Sequence, residues 1–207
     1  MKKTLTGYAK DIRACRHCVE NPQGPPLPHN PRPVLQVSTN ARIAICGQAP
    51  GTRVHNSGIP FTDPSGDRLR DWMGVSEAEF YDKKQLAIIP MGFCFPGLTD
   101  KGGDLPPRKE CARLWHDDLF KLMPKLELII LIGIYAQKYH LGKARKPSLT
   151  ETVKNWREYL NVDEGMKYLP LPHPSWRNNA WIKKNTWFET DVLPSLKLEI
   201  QSLILPA

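Results

Sequence analysis

Four of the five cysteines have a spacing that suits metal binding. Cys15 and Cys18 form a Cys-x-x-Cys pair, and Cys94 and Cys111 follow in the middle of the chain. Two thiolates separated by two residues can hold one metal centre, and two more that the fold brings in complete four-fold coordination. The pattern predicts a site for Zn²⁺ or an iron–sulfur cluster, against the alternative of four unrelated thiols. Cys46 lies in an apolar run and is predicted to be a buried hydrophobic residue.

Three segments that follow predicted strands contain residues that are unusual in simple connections. They are CGQAPG at 46–51, residues 90–94 and LPHPSWRNNAW at 171–181. In open α/β sheets, ligands bind where loops leave the carboxyl ends of the strands. His173 lies between two prolines, which hold the backbone stiff and could direct its imidazole at a ligand. The alternatives are a solvated loop histidine and, for Gly-x-x-Pro-Gly, an ordinary tight turn.

The elements that would position these segments alternate between strand and helix. Apolar runs predict strands at 42–47, 86–89, 127–133 and 167–171. Helical patterns predict helices at 5–18, 65–74, 107–123, 134–141, 150–160 and 176–203. This order predicts an α/β fold, a three-layer α/β/α sandwich with a central, mainly parallel four-stranded sheet. We expect one domain over residues 1–207.

Local signals refine three of the helices. A capping box of Ser76 and Glu79 predicts a short helical turn before the second strand. Pro107 is predicted at the first position of the helix at 107–123. The residues predicted on the outer face of that helix are Glu110, Arg113, Asp117 and Lys121. The terminal helices are expected to be interrupted near Pro194.

Composition limits the class of protein. Lys and Arg outnumber Asp and Glu by 29 to 21, and the resulting net charge of +8 favours a polyanionic partner; the alternative is a merely basic surface, which many soluble proteins have. No apolar run approaches the ~18 residues that cross a bilayer. The amino-terminal residues lack the apolar middle region of a signal peptide. We therefore expect a soluble, cytoplasmic monomer with no membrane partner.

The loops and cysteines together resemble the uracil-DNA glycosylase superfamily, closest to its iron–sulfur family 4 branch, with features of family 5. The first motif of that branch, Gly-Glu-Ala-Pro-Gly and then Gly-x-Pro-Phe, is similar to residues 47–51 and 58–61. The last motif, His-Pro-Ser or His-Pro-Ala, is similar to residues 173–175. The resemblance runs from residue 15 to about residue 181. It implies a 4Fe-4S cluster, in preference to zinc, with the ligands Cys15, Cys18, Cys94 and Cys111.

The resemblance also implies a pocket for a base that has been flipped out of DNA. The base would face Gly47, Gln48 and Ala49 and stack on Phe61, whose alternative role is ordinary core packing. His173 would donate a hydrogen bond to the base oxygen as negative charge develops there. Such a donor stabilises the transition state of glycosidic cleavage more than the ground state.

Three positions depart from the family pattern. Pro90 aligns with the asparagine that reads the uracil edge, and a proline offers no side-chain hydrogen bond. His55 stands where family 4 has a carboxylate. Asp63 follows the stacking aromatic, as an acidic residue does in family 5, and could position water in place of His55. Asp63 is equally well suited to cap the helix that follows it.

Residues near His173 suit contacts to DNA. A wedge into the base stack is predicted for Trp176, and Arg177 is preferred as a phosphate contact. For Trp181 we prefer packing of the last helices on the sheet. The full set of predicted DNA contacts is Arg53, Ser175, Trp176, Arg177, Asn178 and Lys183.

The sequence therefore predicts a monofunctional DNA glycosylase. It would hydrolyse the N-glycosidic bond of uracil or another deaminated or damaged base in single- or double-stranded DNA. Two alternatives come from other classes. One is a catalytically silent protein of the same fold that binds damaged or single-stranded DNA, and the other is a zinc-stapled RNA-binding domain.

Overall fold

The fold is built on a parallel sheet. The computed structural model describes residues 3–162 and 165–204, so the predicted domain boundaries at 1 and 207 lie outside the described residues. Four parallel strands lie in the order β2-β1-β3-β4. They are β1 (Ile43–Cys46), β2 (Leu86–Ile88), β3 (Leu128–Ile132) and β4 (Lys167–Leu171). Every residue of the first three strands is buried, as expected for a parallel sheet that is covered on both faces.

Helices cover both faces of this sheet. They are α1 (Leu5–Arg13), α2 (His17–Glu20), α3 (Thr52–Ser57), α4 (Pro64–Met73), α5 (Glu77–Tyr81), α6 (Lys109–Lys121), α7 (Gly133–Leu141), α8 (Leu149–Lys154), α9 (Arg157–Leu160), α10 (Asn179–Lys184) and α11 (Leu193–Leu203). Alternate residues of β1 enter different cores. Ile43 and Ile45 pack with α4 and α11, whereas Ala44 and Cys46 pack with α1 and α6. The predicted α/β fold is confirmed, and Cys46 is fully buried.

The amino-terminal helix is shorter than predicted. Instead of continuing to residue 18, α1 ends at Arg13, and α2 begins at His17. The amide of Cys15 bonds the carbonyl of Ile12 at 3.1 Å, three residues back, which tightens the last turn and ends the helix. Cys15 therefore lies in the turn, and Cys18 lies in α2.

The start of α6 also differs from the prediction. The helix begins at Lys109, because Arg108 keeps an extended backbone, so Pro107 lies ahead of it. Glu110 is buried, although the helical pattern placed it outside. Its carboxylate accepts a hydrogen bond from Arg108 at 3.2 Å and from the amide of Gln23 at 3.4 Å. Burial of this acid is therefore compensated by one neighbouring partner and by one from a distant loop.

The terminal helices break at positions that were not predicted. The helix expected at 150–160 is divided into α8 and α9. The terminal segment is interrupted at residues 185–187, and Pro194 lies in the first turn of α11, where a helix needs no amide donor. The capping box of Ser76 and Glu79 is present. Within residues 3–162 and 165–204, no helix combines the length and apolarity needed to cross a bilayer.

Candidate functional site

A cavity opens at the carboxyl edge of the sheet, where the loops after β1, β2 and β4 meet. Its volume is about 80 Å³. All five predicted base-contacting residues line it, namely Gly47, Gln48, Ala49, Phe61 and Pro90. Asp63 and His173 line the same cavity. Residues far apart in the sequence thus meet at one place.

Phe61 has a strained backbone in this cavity. Its φ is 55°, and no other non-glycine residue in the described part of the chain has a positive φ. A bulky residue adopts this conformation only where its surroundings enforce it. The hydroxyl of Tyr81 donates to the carbonyls of Pro60 at 2.9 Å and Phe61 at 3.3 Å, and the ring of Phe80 meets that of Phe61 edge-on at 5.9 Å. These contacts hold the Phe61 ring at the cavity wall.

His173 enters the cavity from the loop after β4. Its ring is half-buried, and its backbone carbonyl accepts a hydrogen bond from the side chain of Asn178 at 2.7 Å. Burial lowers the pKa of His173, and the charges of Asp63 and Asp104 oppose that shift only partly. The imidazole is therefore neutral at pH 7 and carries one N–H donor.

Arg68 of α4 supports this loop and was not identified from the sequence. Its guanidinium donates to the carbonyl of Ser175 at 3.2 Å and to the side-chain oxygen of Asn179 at 2.7 Å. A side chain on a rigid helix thus fixes the backbone two residues beyond His173.

Asp63 combines two arrangements that the sequence presented as alternatives. Its Oδ1 caps α4, accepting from the amide of Gly66 at 3.3 Å and the hydroxyl of Ser65 at 2.7 Å. The same residue lines the cavity. Its Oδ2 makes no hydrogen bond to residues 3–162 or 165–204, so that oxygen is open to a ligand or water.

Asp104 is a second carboxylate of the cavity, and the sequence did not single it out. Burial raises the pKa of Asp104, while Arg177 and His173 act in the opposite direction. Its loop is fixed to the first motif by a hydrogen bond from Gln48 to the carbonyl of Leu105 at 3.2 Å. The only sequence signal was the proline-rich loop that contains it, and such structured loops commonly carry function.

The structure does not place His55 with the other candidates. Val54 lines the cavity, and the next residue of α3 points elsewhere because a helix turns about 100° per residue. The His55 ring packs against His29, with 4.3 Å between centroids, and against Phe95 at 5.7 Å. His55 is not among the described residues that line the cavity, and its role in holding the attacking water stays a prediction.

The cavity continues into a wider, cationic groove that shares Asp63, Asp104 and His173 with it. Trp176 projects from the rim and is 72% exposed, and the Arg177 guanidinium lies 5.8 Å from its ring. Five of the six predicted DNA contacts line the groove, together with Arg68; these are Arg53, Ser175, Trp176, Arg177 and Asn178. The sixth, Lys183, is exposed on α10 outside this lining.

Trp181, in contrast, packs into the protein as predicted. Its ring lies 5.6 Å from that of Phe188, and its indole N–H donates to Thr150 at 2.8 Å. The polar end of the indole is thus satisfied while the ring contributes to the core.

Comparison with known families agrees with this geometry. The family model described as "Uracil DNA glycosylase superfamily" matches residues 35–197, which include the whole groove and every residue that lines the cavity except Val34. The chain belongs to the uracil DNA glycosylase superfamily. The solved structures that are similar include a solution NMR structure of a "putative Uracil DNA glycosylase" from Methanosarcina acetivorans. It is 18% identical, with a TM-score of 0.46 over 81% of this chain and 95% of that one, and carries no further argument.

The superfamily match begins at residue 35, so it does not include Cys15 and Cys18. All four predicted ligands line one further cavity. The amide of Phe93 donates to the sulfur of Cys111 at 3.3 Å, the type of hydrogen bond that stabilises a bound thiolate. Burial raises the pKa of Cys94 to about 12.

The four cysteine sulfurs around this cavity are donors of the type that an iron–sulfur cluster or a zinc ion takes. In the described part of the chain, no three His, Cys, Asp or Glu side chains converge on one ion position. The donors that face the cavity are four sulfurs, and the cation of Arg108 lies beside them. Both features suit a cluster that carries negative charge with its thiolates.

Proposed function

We propose that this protein is a DNA glycosylase that hydrolyses the N-glycosidic bond of uracil or another deaminated or damaged base. The observation that carries the proposal is the cavity itself. An aromatic ring on a strained backbone, a histidine and two carboxylates line it, namely Phe61, His173, Asp63 and Asp104. A base outside the duplex needs an apolar face to stack on and hydrogen bonds to its edge. The groove that leads out of the cavity supplies positive charge for the DNA backbone.

His173 stabilises the departing base in this proposal. Cleavage of the bond between C1′ and the base leaves negative charge on the base and positive charge on the sugar. The N–H of the neutral imidazole donates to the base oxygen on which the negative charge develops. Because burial keeps His173 neutral, it acts as a hydrogen-bond donor and keeps its proton.

Asp63 positions the water that completes the reaction. The water oxygen bonds C1′ as the bond to the base breaks, and its proton passes to a carboxylate. Asp63 has a free oxygen in the cavity and is held in place by its capping bonds. Asp104 lies in the same cavity and is the second candidate for this proton. Either carboxylate also stabilises the cationic sugar electrostatically.

Pro90 makes strict selection of uracil unexpected. Its carbonyl accepts a hydrogen bond from His116 at 3.1 Å, and its ring offers none to a base. The side chains of Ser65 and Gln48 are already engaged by Asp63 and Leu105. A site usually rejects a wrong base because that base leaves one of the site's own polar groups without a hydrogen-bond partner. We therefore expect hypoxanthine or xanthine to be released as well as uracil.

We also propose a structural 4Fe-4S cluster, held by Cys15, Cys18, Cys94 and Cys111. When bound, the cluster would fix the segment before Cys94. That segment is joined to the first motif, since the amide of Met91 donates to Gly47 at 2.9 Å and that of Gly92 donates to Gln48 at 3.0 Å. The four cysteines thereby support one wall of the base cavity.

A direct test uses oligonucleotides that each carry one altered base. The protein is incubated with uracil-, hypoxanthine- and xanthine-containing DNA, which is then heated in alkali to cleave abasic sites. We expect strand cleavage with uracil and at least one other base. Tight binding of these DNAs without abasic product would support the silent DNA-binding protein instead, the alternative that Pro90 favours.

A further inference from the structure

A second groove lies between α6 and α7, outside the base cavity and the cationic groove next to it. It has a volume of about 460 Å³ and is lined by Lys109 and Arg113 from α6 and by Tyr135, Lys138 and Tyr139 from α7. Residues three and four positions apart share one face of a helix, so each set points from a single face. We call this surface the α6–α7 groove.

This groove is close to the base cavity. Asp104 lines the cavity, and Pro106 and Pro107 line the α6–α7 groove, so the short segment between them separates the two. Two consecutive residues after β2 also lie on different sides: Pro90 lines the cavity, and Met91 lines the groove. A strand that leaves the cavity over this proline-rich segment would therefore enter the groove.

The α6–α7 groove has an excess of uncommitted positive charge. Lys109, Arg113 and Lys138 are exposed, and none of them forms an ion pair with any residue that the structure describes. Arg108 also lines the groove but is engaged by Glu110 and by the carbonyl of Pro25. The acid at the edge is Asp117, which accepts a hydrogen bond from the Tyr139 hydroxyl at 2.7 Å.

Two aromatic side chains lie among these cations. Tyr135 is 37% exposed and Tyr139 is 36% exposed, on a helix whose opposite face is buried against the sheet through Ala136 and Leu141. Exposed aromatic faces interleaved with cations are the pattern by which proteins bind unpaired nucleic acid without reading its sequence. An acidic peptide would use the cations but would leave the two rings without a stacking partner.

We propose that the α6–α7 groove binds a single-stranded segment of DNA that flanks the altered base. Phosphates contact Lys109, Arg113 and Lys138, and unpaired bases stack on Tyr135 and Tyr139. The inference rests on the proposed function, because it treats the groove as an extension of the same DNA site. Its consequence is a preference for altered bases next to an unpaired strand.

Equilibrium binding tests this proposal without requiring cleavage. Fluorescent duplexes carry an abasic-site analogue and either blunt ends or an unpaired extension, on one side or the other. We expect one of the extensions to raise affinity about tenfold, the scale of stacking one base on an aromatic ring. Tyr135→Ala should remove that gain, and Lys138→Ala should lower the slope of log K against log salt by about one unit.

Lys154→Ala is the matched control, since Lys154 is also an exposed, unpaired lysine near a helix end, on α8. It should bind both kinds of DNA as the parent does. If the parent binds blunt and extended duplexes equally, the groove proposal is overturned while the proposed function stands. If the parent binds neither, both fail. A polyglutamate peptide is the probe for the other kind of ligand. If the peptide binds saturably, loses this binding in Lys138→Ala and does not displace DNA, the groove binds an acidic protein segment instead of DNA.

Discussion

A Cβ atom on Gly66 would overlap the backbone carbonyl oxygen of Phe61. Gly66 lies in the first turn of α4, and its amide bonds the capping carboxylate of Asp63. The strained phenylalanine, the cap and the helix are therefore packed so closely that only glycine fits at residue 66. This packing links the fold of α4 directly to the aromatic wall of the cavity.

Replacement of Gly66 should consequently impair activity by displacing Phe61. We expect Gly66→Ala to lower single-turnover cleavage of uracil-containing DNA by at least about tenfold, since small misplacements of a binding group are costly. Gly7→Ala is the matched control, because Gly7 also donates its amide to a capping side chain and its added Cβ would lie 3.5 Å from Thr4. Equal activity in the two variants would show that the Phe61 ring does not contribute.

Asp63 can be tested separately as a cap and as a catalytic group. Asparagine caps helices as well as aspartate, so Asp63→Asn should keep the free energy of unfolding, whereas Asp63→Ala should lose about 1 kcal/mol of it. Both variants should lose cleavage strongly, because neither carries a carboxylate. Chemical denaturation and single-turnover kinetics on the same preparations separate the two effects.

Variants of Asp104 and His55 test the other two residues that could hold the attacking water. If Asp63 holds the water, Asp104→Asn should lower cleavage less than Asp63→Asn, and His55→Ala should leave it nearly unchanged because its ring packs on His29 and Phe95. A larger loss in Asp104→Asn would transfer the role to Asp104. A large loss in His55→Ala, with unfolding unaffected, would transfer it to His55.

The iron–sulfur proposal predicts a visible property. Protein purified without oxygen should be brown and contain about four irons per chain. Cys111→Ser should lose iron and absorbance and unfold at a lower temperature, whereas Cys46→Ser should keep the iron because Cys46 is buried in the sheet. Stoichiometric zinc without iron would contradict the proposal. Loss of iron in Cys46→Ser would mean that the ligand set is wrong.

One buried and one half-buried histidine, His116 and His140, should make stability depend on pH. Burial lowers the pKa of His116 to about 4 and that of His140 to about 3. The unfolded chain protonates these residues below a pH of about 6.5, and the folded protein does so only near its lowered values. The free energy of unfolding should therefore fall as pH decreases from about 6.5 toward 4, by at most about 1.4 kcal/mol per pH unit for each histidine.

Urea unfolding between pH 7 and pH 4 measures this slope. His116→Gln should reduce it, while keeping a donor for the carbonyl of Pro90. An identical slope in the His116 variant would show that this histidine does not control acid stability.

The sheet could be predicted from the sequence because its strands are buried on both faces and read as apolar runs. The three segments that follow strands, at 46–51, 90–94 and 171–181, could be predicted because glycine and proline mark the ends of those strands. Helix limits were less accurate, since they depend on contacts that no local pattern contains. Glu110 illustrates this, because its buried carboxylate accepts a hydrogen bond from the amide of Gln23, which lies in a distant segment.

The composition of the cavity was predictable only in part. His173, Phe61 and Asp63 were found because they belong to recognisable motifs. His55 was a candidate because the sequence does not give the orientation of a helix; in the structure Val54, one residue earlier, lines the cavity and His55 does not. Asp104 was missed because the loop that carries it is placed by Gln48, a contact across the fold.

The central claim is that His173 stabilises the leaving base, and one comparison tests it most directly. Single-turnover cleavage of uracil-containing DNA is measured for His173→Ala alongside its affinity for DNA with an abasic-site analogue, which has no base to contact. We predict a loss of about 10²–10³ in rate, the usual effect of removing one such donor, with affinity nearly unchanged. Near parental cleavage by His173→Ala would contradict the account and reduce the loop after β4 to a proline-stiffened turn.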